Sequence, residues 1–185
     1  MIRPLTLITG GLLWLAATSA QATPGEASFE TCGNIAGEQL TTIQLYQRGL
    51  SLEVLKETLP GLSSEGEKRV ERFYQAIEEE GLTSAYSATN ARYARCAKSV
   101  NDRRGIPERG TREHHFYVCA GENKVRYEVL LAAWAGGDIK EVLPQLQPAH
   151  REPARAIYEQ METEGTAQTF NALATELKRC LNGAP

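Results

Sequence analysis

The chain has 185 residues, of which 42% are hydrophobic and 23% charged, and its formal net charge is −3. That length suits one compact domain or two small ones. The mild acidity gives no reason to expect general affinity for nucleic acid or a membrane surface.

Residues 1–22 read as a secretory signal peptide. Arg3 supplies the positive start, Leu5 to Ala17 is apolar but shorter than a membrane span, and Ala20-Gln21-Ala22 forms a small-x-small cleavage site. The mature chain is therefore expected to start at Thr23, carry no membrane span and reside in the periplasm or beyond. No Cys stands at the cleavage point, so no lipid anchor is expected. The four Cys of an exported chain look like a disulfide framework, for which four Cys allow three pairings.

Ala, Leu, Glu, Gln and Arg dominate the remainder, and these are helix formers. Phe29, Cys32, Ala36, Leu40 and Ile43 recur at helical spacing and give one buried face. Gly49 is the stop after this helix, and Ser51 caps a short second one lined by Leu52, Leu55 and Leu59. Ser64-x-x-Glu67 reads as a capping box that opens a third helix, with Val70, Phe73, Tyr74 and Ile77 as its stripe. Gly81 ends that helix. A fourth carries Leu82, Ala85, Tyr86, Tyr93, Cys96 and Ala97 on one face. No segment alternates with period two for long enough to be a strand.

The same frame then recurs. A shift of 87 residues lays Phe29 on Phe116, Cys32 on Cys119, Ile43 on Leu130, Gly49 on Gly136 and Ser51 on Asp138. After a three-residue deletion, a shift of 84 lays Ile77 on Met161, Gly81 on Gly165, Tyr86 on Phe170 and Cys96 on Cys180. Pro144 stands where the first copy has Glu57, so the second short helix should end early. The expected fold is all-α: about eight helices in two tandem four-helix repeats, residues 23–100 and 113–185, joined by a basic linker at 101–112. An antiparallel four-helix unit brings the start of its first helix beside the end of its last. Cys32 should then pair with Cys96, and Cys119 with Cys180.

A helix that begins with Cys, an Arg-x-Gly-x-Ser-like turn (Gln47-Arg48-Gly49-Leu50-Ser51) and a Cys closing the last helix resemble a pattern of small exported proteobacterial proteins. The second copy has Ala135-Gly136-Gly137-Asp138 and lacks the Arg. The resemblance implies a helical periplasmic fold. It supplies no activity, ligand or catalytic residue.

From Arg92 to Arg112, seven basic residues (Arg92, Arg95, Lys98, Arg103, Arg104, Arg109, Arg112) face two acids (Asp102, Glu108), a net +5 in an acidic protein. Such a hinge could hold an acidic protein surface or an anionic envelope component, with Arg103, Arg104, Arg109 and Arg112 as contacts; the alternative is a solvated helix face running into a polar linker. Glu113-His114-His115 follows. Adjacent His diverge on a helix, so only one of His114 and His115 could join Cys119 around a metal, and His150 has no companion; no metal or other cofactor is expected. The acids Glu78, Glu79 and Glu80, and Glu162 and Glu164 in the second copy, sit at helix C-termini, where they oppose the dipole. Trp134 is expected to pack, between the repeats, with an exposed binding anchor as the alternative. Nothing matches a nucleophile elbow, phosphate loop, zinc-protease helix or calcium loop. The sequence thus points to a non-enzymatic binding module, or else to a small-ligand or metal carrier using the groove between repeats, or to an enzyme with no recognisable motif.

Overall fold

The computed structural model describes residues 27–59 and 61–183, so the signal peptide at 1–22 lies outside the described residues. The described chain is helical, in the order α1 (Phe29–Gln47), α2 (Leu52–Thr58), α3 (Ser64–Glu80), α4 (Leu82–Arg104), α5 (Arg112–Trp134), α6 (Ile139–Val142), α7 (Pro148–Glu164) and α8 (Thr166–Leu181). A single 3₁₀ turn, Leu143–Gln145, continues α6; Pro144 lies within it, in keeping with the early stop its missing N–H imposes. No helix among the described residues is long and apolar enough to cross a membrane.

Two short signals set each half. Ser51 and Asp138 cap α2 and α6 by accepting from the backbone N–H of Val54 and Lys140. Gly81 and Gly165 stand at φ 83° and 82° between α3 and α4 and between α7 and α8. Each ends one helix and starts the next, a corner that a side chain could form only with strain. Because the corner is one residue long, Glu80 and Glu164 stand just before the N-termini of α4 and α8. The positive ends of those dipoles offset the unfavourable placement at the ends of α3 and α7.

The capping box is displaced by one residue. Ser63, not Ser64, takes the extended backbone and accepts from Gly66 N–H at 3.1 Å, while Ser64 is already helical. In that register the Leu62 side chain closes over the buried Gly66, where an added Cβ would lie 3.1 Å from Leu62 Cδ2. The linker is also shorter than 101–112. Helix α4 runs on to Arg104, Gly105 (φ 72°) stops it, and α5 starts at Arg112.

Helices α1, α4, α5 and α8 all pack on one another and form a central bundle, with α3 against α1 and α4, and α7 against α5 and α8. Phe29, Leu40, Ile43, Phe73, Ile77 and Tyr86 share one hydrophobic core with Phe116, Leu130, Ile157, Phe170 and Leu177. The two halves are therefore fused through a common interior; the linker divides the sequence but not the core. Full burial of each large apolar side chain here contributes on the order of 1.5–3 kcal/mol. Tyr86 stacks on Phe170, its counterpart in the repeat register, with centroids 5.6 Å apart. Gly33 lets α1 meet α5 and α8, since a Cβ there would lie 2.6 Å from the Phe116 ring and 2.8 Å from Leu181.

Polar contacts fix the register of this interior. Asn123 donates to Asn90 Oδ1 at 2.9 Å across the α4–α5 contact, and Asn90 donates to Tyr86 O. The Tyr86 hydroxyl meets Gln47 Oε1 at 3.1 Å and Asn171 Oδ1 at 3.2 Å, and Gln44 joins the same Asn171. A buried pair of this kind costs the full desolvation penalty if one partner is removed. Disulfides staple both halves: Cys32 to Cys96 and Cys119 to Cys180, each with Cα atoms 5.8 Å apart.

Candidate functional site

Helices α4 and α5 run antiparallel, and small side chains line their outer contact. Along them lies a furrow in two sections, whose linings have Arg95 in common. The first section, about 470 Å³, is lined by Phe29, Ala94, Ala97, Tyr117, Ala120 and Gly121, with Lys98, Asn101, Asp102 and Lys124 on its rim. Its floor exists because Ala and Gly keep the helix surfaces low, while Phe29 and Tyr117, in edge-to-face contact at 5.3 Å, close one end. The second section, about 790 Å³, lies toward the start of α4, the end of α5 and the start of α8. Thr83, Ser84, Ser87 and Thr166 give it hydroxyls, Phe170 and Ala88 give it apolar floor, and Trp134 stands at its wall. Both sections are open to solvent along their length rather than enclosed.

Trp134 does not pack between the halves. It is 58% exposed, one of four large exposed hydrophobics among the described residues. The expectation of packing fails at the last residue of α5, one turn beyond the buried Leu130. At the corresponding position of α1, Gln47 is also exposed but accepts a hydrogen bond from the Tyr86 hydroxyl.

The charges of the furrow are unequal in freedom. Lys98 pairs with Asp102 at 2.5 Å and Lys124 with Glu128 at 2.6 Å, both exposed pairs of little energetic weight. Arg95 has no hydrogen-bond or ion-pair partner among the described residues, although it sits where the two sections meet. Asn101 Oδ1, on the rim, is fully shielded and accepts no hydrogen bond. The groove thus presents one uncommitted guanidinium and one exposed indole.

The basic hinge is less available than its sequence implies. Arg112 pairs with Glu30 at 2.8 Å and stacks over Phe116, Arg103 bonds Ser99, and Arg104 is engaged as well. Arg109 is exposed in the connection. Arg103 and Arg104 also complement the C-terminal dipole of α4.

Beside the hinge, Glu113 accepts from the backbone N–H groups of Phe29 at 2.9 Å and Glu30 at 3.2 Å, so a carboxylate on α5 caps α1. Sequence reasoning missed this contact, which joins residues more than 80 positions apart. The two His diverge as expected. His114 lies by the Tyr117 ring, and His115 Nε2 is 2.7 Å from Cys180 O and 3.7 Å from Cys119 Sγ. His115, Cys119 and Cys180 are close enough together to resemble a metal set, but both sulfurs are spent in the disulfide. A disulfide sulfur is not the thiolate that zinc needs, so these residues do not fit a metal centre as they stand. His150 pairs with Glu122, distant in sequence from the other two.

Of the seven groups among the described residues whose pKa departs from its ordinary value, three bear on the central bundle. Burial pushes the Tyr86 and Tyr93 phenols well above the ordinary tyrosine value. Desolvation, with Arg48 nearby, pulls Lys178 down, and its ammonium donates to Gln44 Oε1 at 2.8 Å. All three tie helices together within the bundle and none lines the α4–α5 furrow, so they serve packing rather than acid–base chemistry. Compared with protein-family models, curated proteins and solved structures, the chain matches none.

Proposed function

We propose that the protein is an exported, non-enzymatic binding module that recognises an anionic envelope component or an acidic protein surface through the α4–α5 furrow. The observation that carries this reading is Trp134, exposed at the wall of a groove whose centre is the unpaired Arg95. Trp and Arg are the side chains most enriched where binding energy concentrates. The open, elongated form supports an extended partner over a small molecule carried in an enclosed pocket, the sites of which bury most of the ligand's surface. Export is supported by the signal-like residues 1–22 and by two disulfides, which persist in oxidising compartments. In this reading the anionic contact moves from the hinge to Arg95, because Arg103, Arg104 and Arg112 are engaged within the fold.

Retention on an isolated envelope fraction at low salt tests the proposal. Arg95→Glu and Trp134→Ala should each lower retention at least tenfold without changing the far-UV spectrum. Replacing Arg103, Arg104, Arg109 and Arg112 together by Ser should leave most of it. The opposite order, with the hinge variant released and the furrow variants retained, would return the site to the linker.

A further inference from the structure

The furrow's two sections differ in chemistry, and that difference names a ligand class. This inference rests on the furrow being the recognition surface and specifies what lies in it. Around Trp134 the lining alternates apolar surface with the hydroxyls of Thr83, Ser84 and Thr166. Thr83 and Ser84 make no side-chain hydrogen bond among the described residues, and the Gly81 cap of α4 adds none. A flat indole beside free hydroxyls is suited to a pyranose ring, which offers one face of C–H groups and a perimeter of hydroxyls. It suits an acyl chain poorly, since a chain would leave those hydroxyls without partners.

Beyond this section lies Arg95, whose planar fork matches a carboxylate through two parallel hydrogen bonds. Past Arg95 the floor becomes apolar, and the small residues Ala94, Ala97, Ala120 and Gly121 leave room for an uncharged substituent. A phosphate-rich lipid surface would call for several free cations, but Lys98 and Lys124 are already paired. We infer that the furrow binds a carboxylated saccharide chain: a sugar ring on Trp134, its carboxylate on Arg95, and an uncharged substituent in the apolar section.

Intrinsic fluorescence reads this contact directly. The chain has two Trp, Trp14 and Trp134. In the full chain with Trp14→Phe, emission reports Trp134 alone. The probe is the disaccharide of N-acetylglucosamine and N-acetylmuramic acid, with its lactyl carboxylate free, set against neutral di-N-acetylchitobiose. The acidic sugar should shift the emission saturably and bind about tenfold or more tightly than the neutral one, the factor expected for a lost charged hydrogen bond. Arg95→Gln should erase that difference, and Trp134→Ala should weaken both sugars in a competition assay. Hexaglutamate and phosphatidylglycerol vesicles are titrated in parallel. If either binds through Arg95 while the disaccharide does not, the saccharide assignment falls and the furrow remains a binding surface. If no probe binds and envelope retention ignores Arg95 and Trp134, the binding reading falls with it.

Discussion

The two halves of this molecule run the same helical programme to different ends. At the last residue of the first helix, α1 has Gln47 and α5 has Trp134. Both are exposed, but Gln47 accepts from the hydroxyl of the buried Tyr86, whereas Trp134 lines an open groove. At the disulfides, Ser28 caps α1 near Cys32, and the matching position near Cys119 is His115, which reaches Cys180 O. Within the last helix of each half, Arg95 is left without a partner among the described residues while its counterpart Arg179 pairs with Glu176. The positions that hold the frame agree between halves: the Cys, the corner Gly and the short-helix caps. Of the three differences just named, Trp134 and Arg95 line the α4–α5 furrow. Shared positions therefore report folding, and divergent ones are where recognition is to be sought.

The largest test breaks the frame. The disulfide loops span 64 and 61 residues, so the chain-entropy model gives each about 4 kcal/mol. Replacing Cys32 and Cys96 together by Ser, or Cys119 and Cys180, should lower unfolding free energy by similar amounts in urea titrations. A loss confined to one pair would show that the halves are not equivalent in stability. Next come the corners. Gly81→Ala and Gly165→Ala should each cost about 1–3 kcal/mol, because both glycines hold backbone angles that L residues avoid. A clear inequality would mean one corner relaxes more easily.

Smaller again is the cross-half cap. Glu113→Ala should cost about 0.5–2 kcal/mol and raise amide hydrogen exchange in the first turn of α1, not in α5. Exchange rising in α5 instead would deny the capping role. The last is an effect of pH. Tyr86 and Tyr93 ionise more readily unfolded than folded, so the folded state keeps their protons above pH 10. Stability from this source is complete below that value and falls as pH rises above it. Tyr93→Phe should thus move the midpoint of alkaline denaturation, followed by circular dichroism, to higher pH. No movement would place the loss elsewhere.

Much of the frame was legible because it is local. Gly49, Gly81 and Gly165 announce their turns, Ser51 and Asp138 their caps, and the apolar stripes their buried faces. The disulfide partners followed from the antiparallel arrangement of first and last helices. Adjacent Ser63 and Ser64 offered two cap registers that sequence alone does not separate; the contact of Leu62 with Gly66 does. The cap by Glu113, the shared core and the furrow arise from the packing of α1 and α4 on α5 and α8. No single helix encodes that packing. Trp134 was misplaced for the same reason, since its exposure depends on where the buried face of α5 ends.

The most direct test of this account compares the counterparts Gln47→Ala and Trp134→Ala for thermal stability and envelope retention on the same preparations. The account predicts a crossing: Gln47→Ala lowers Tm and keeps retention, and Trp134→Ala keeps Tm and loses retention. A Trp134→Ala protein that is destabilised but retained as well as the parent would contradict it, and would make Trp134 a packing residue after all.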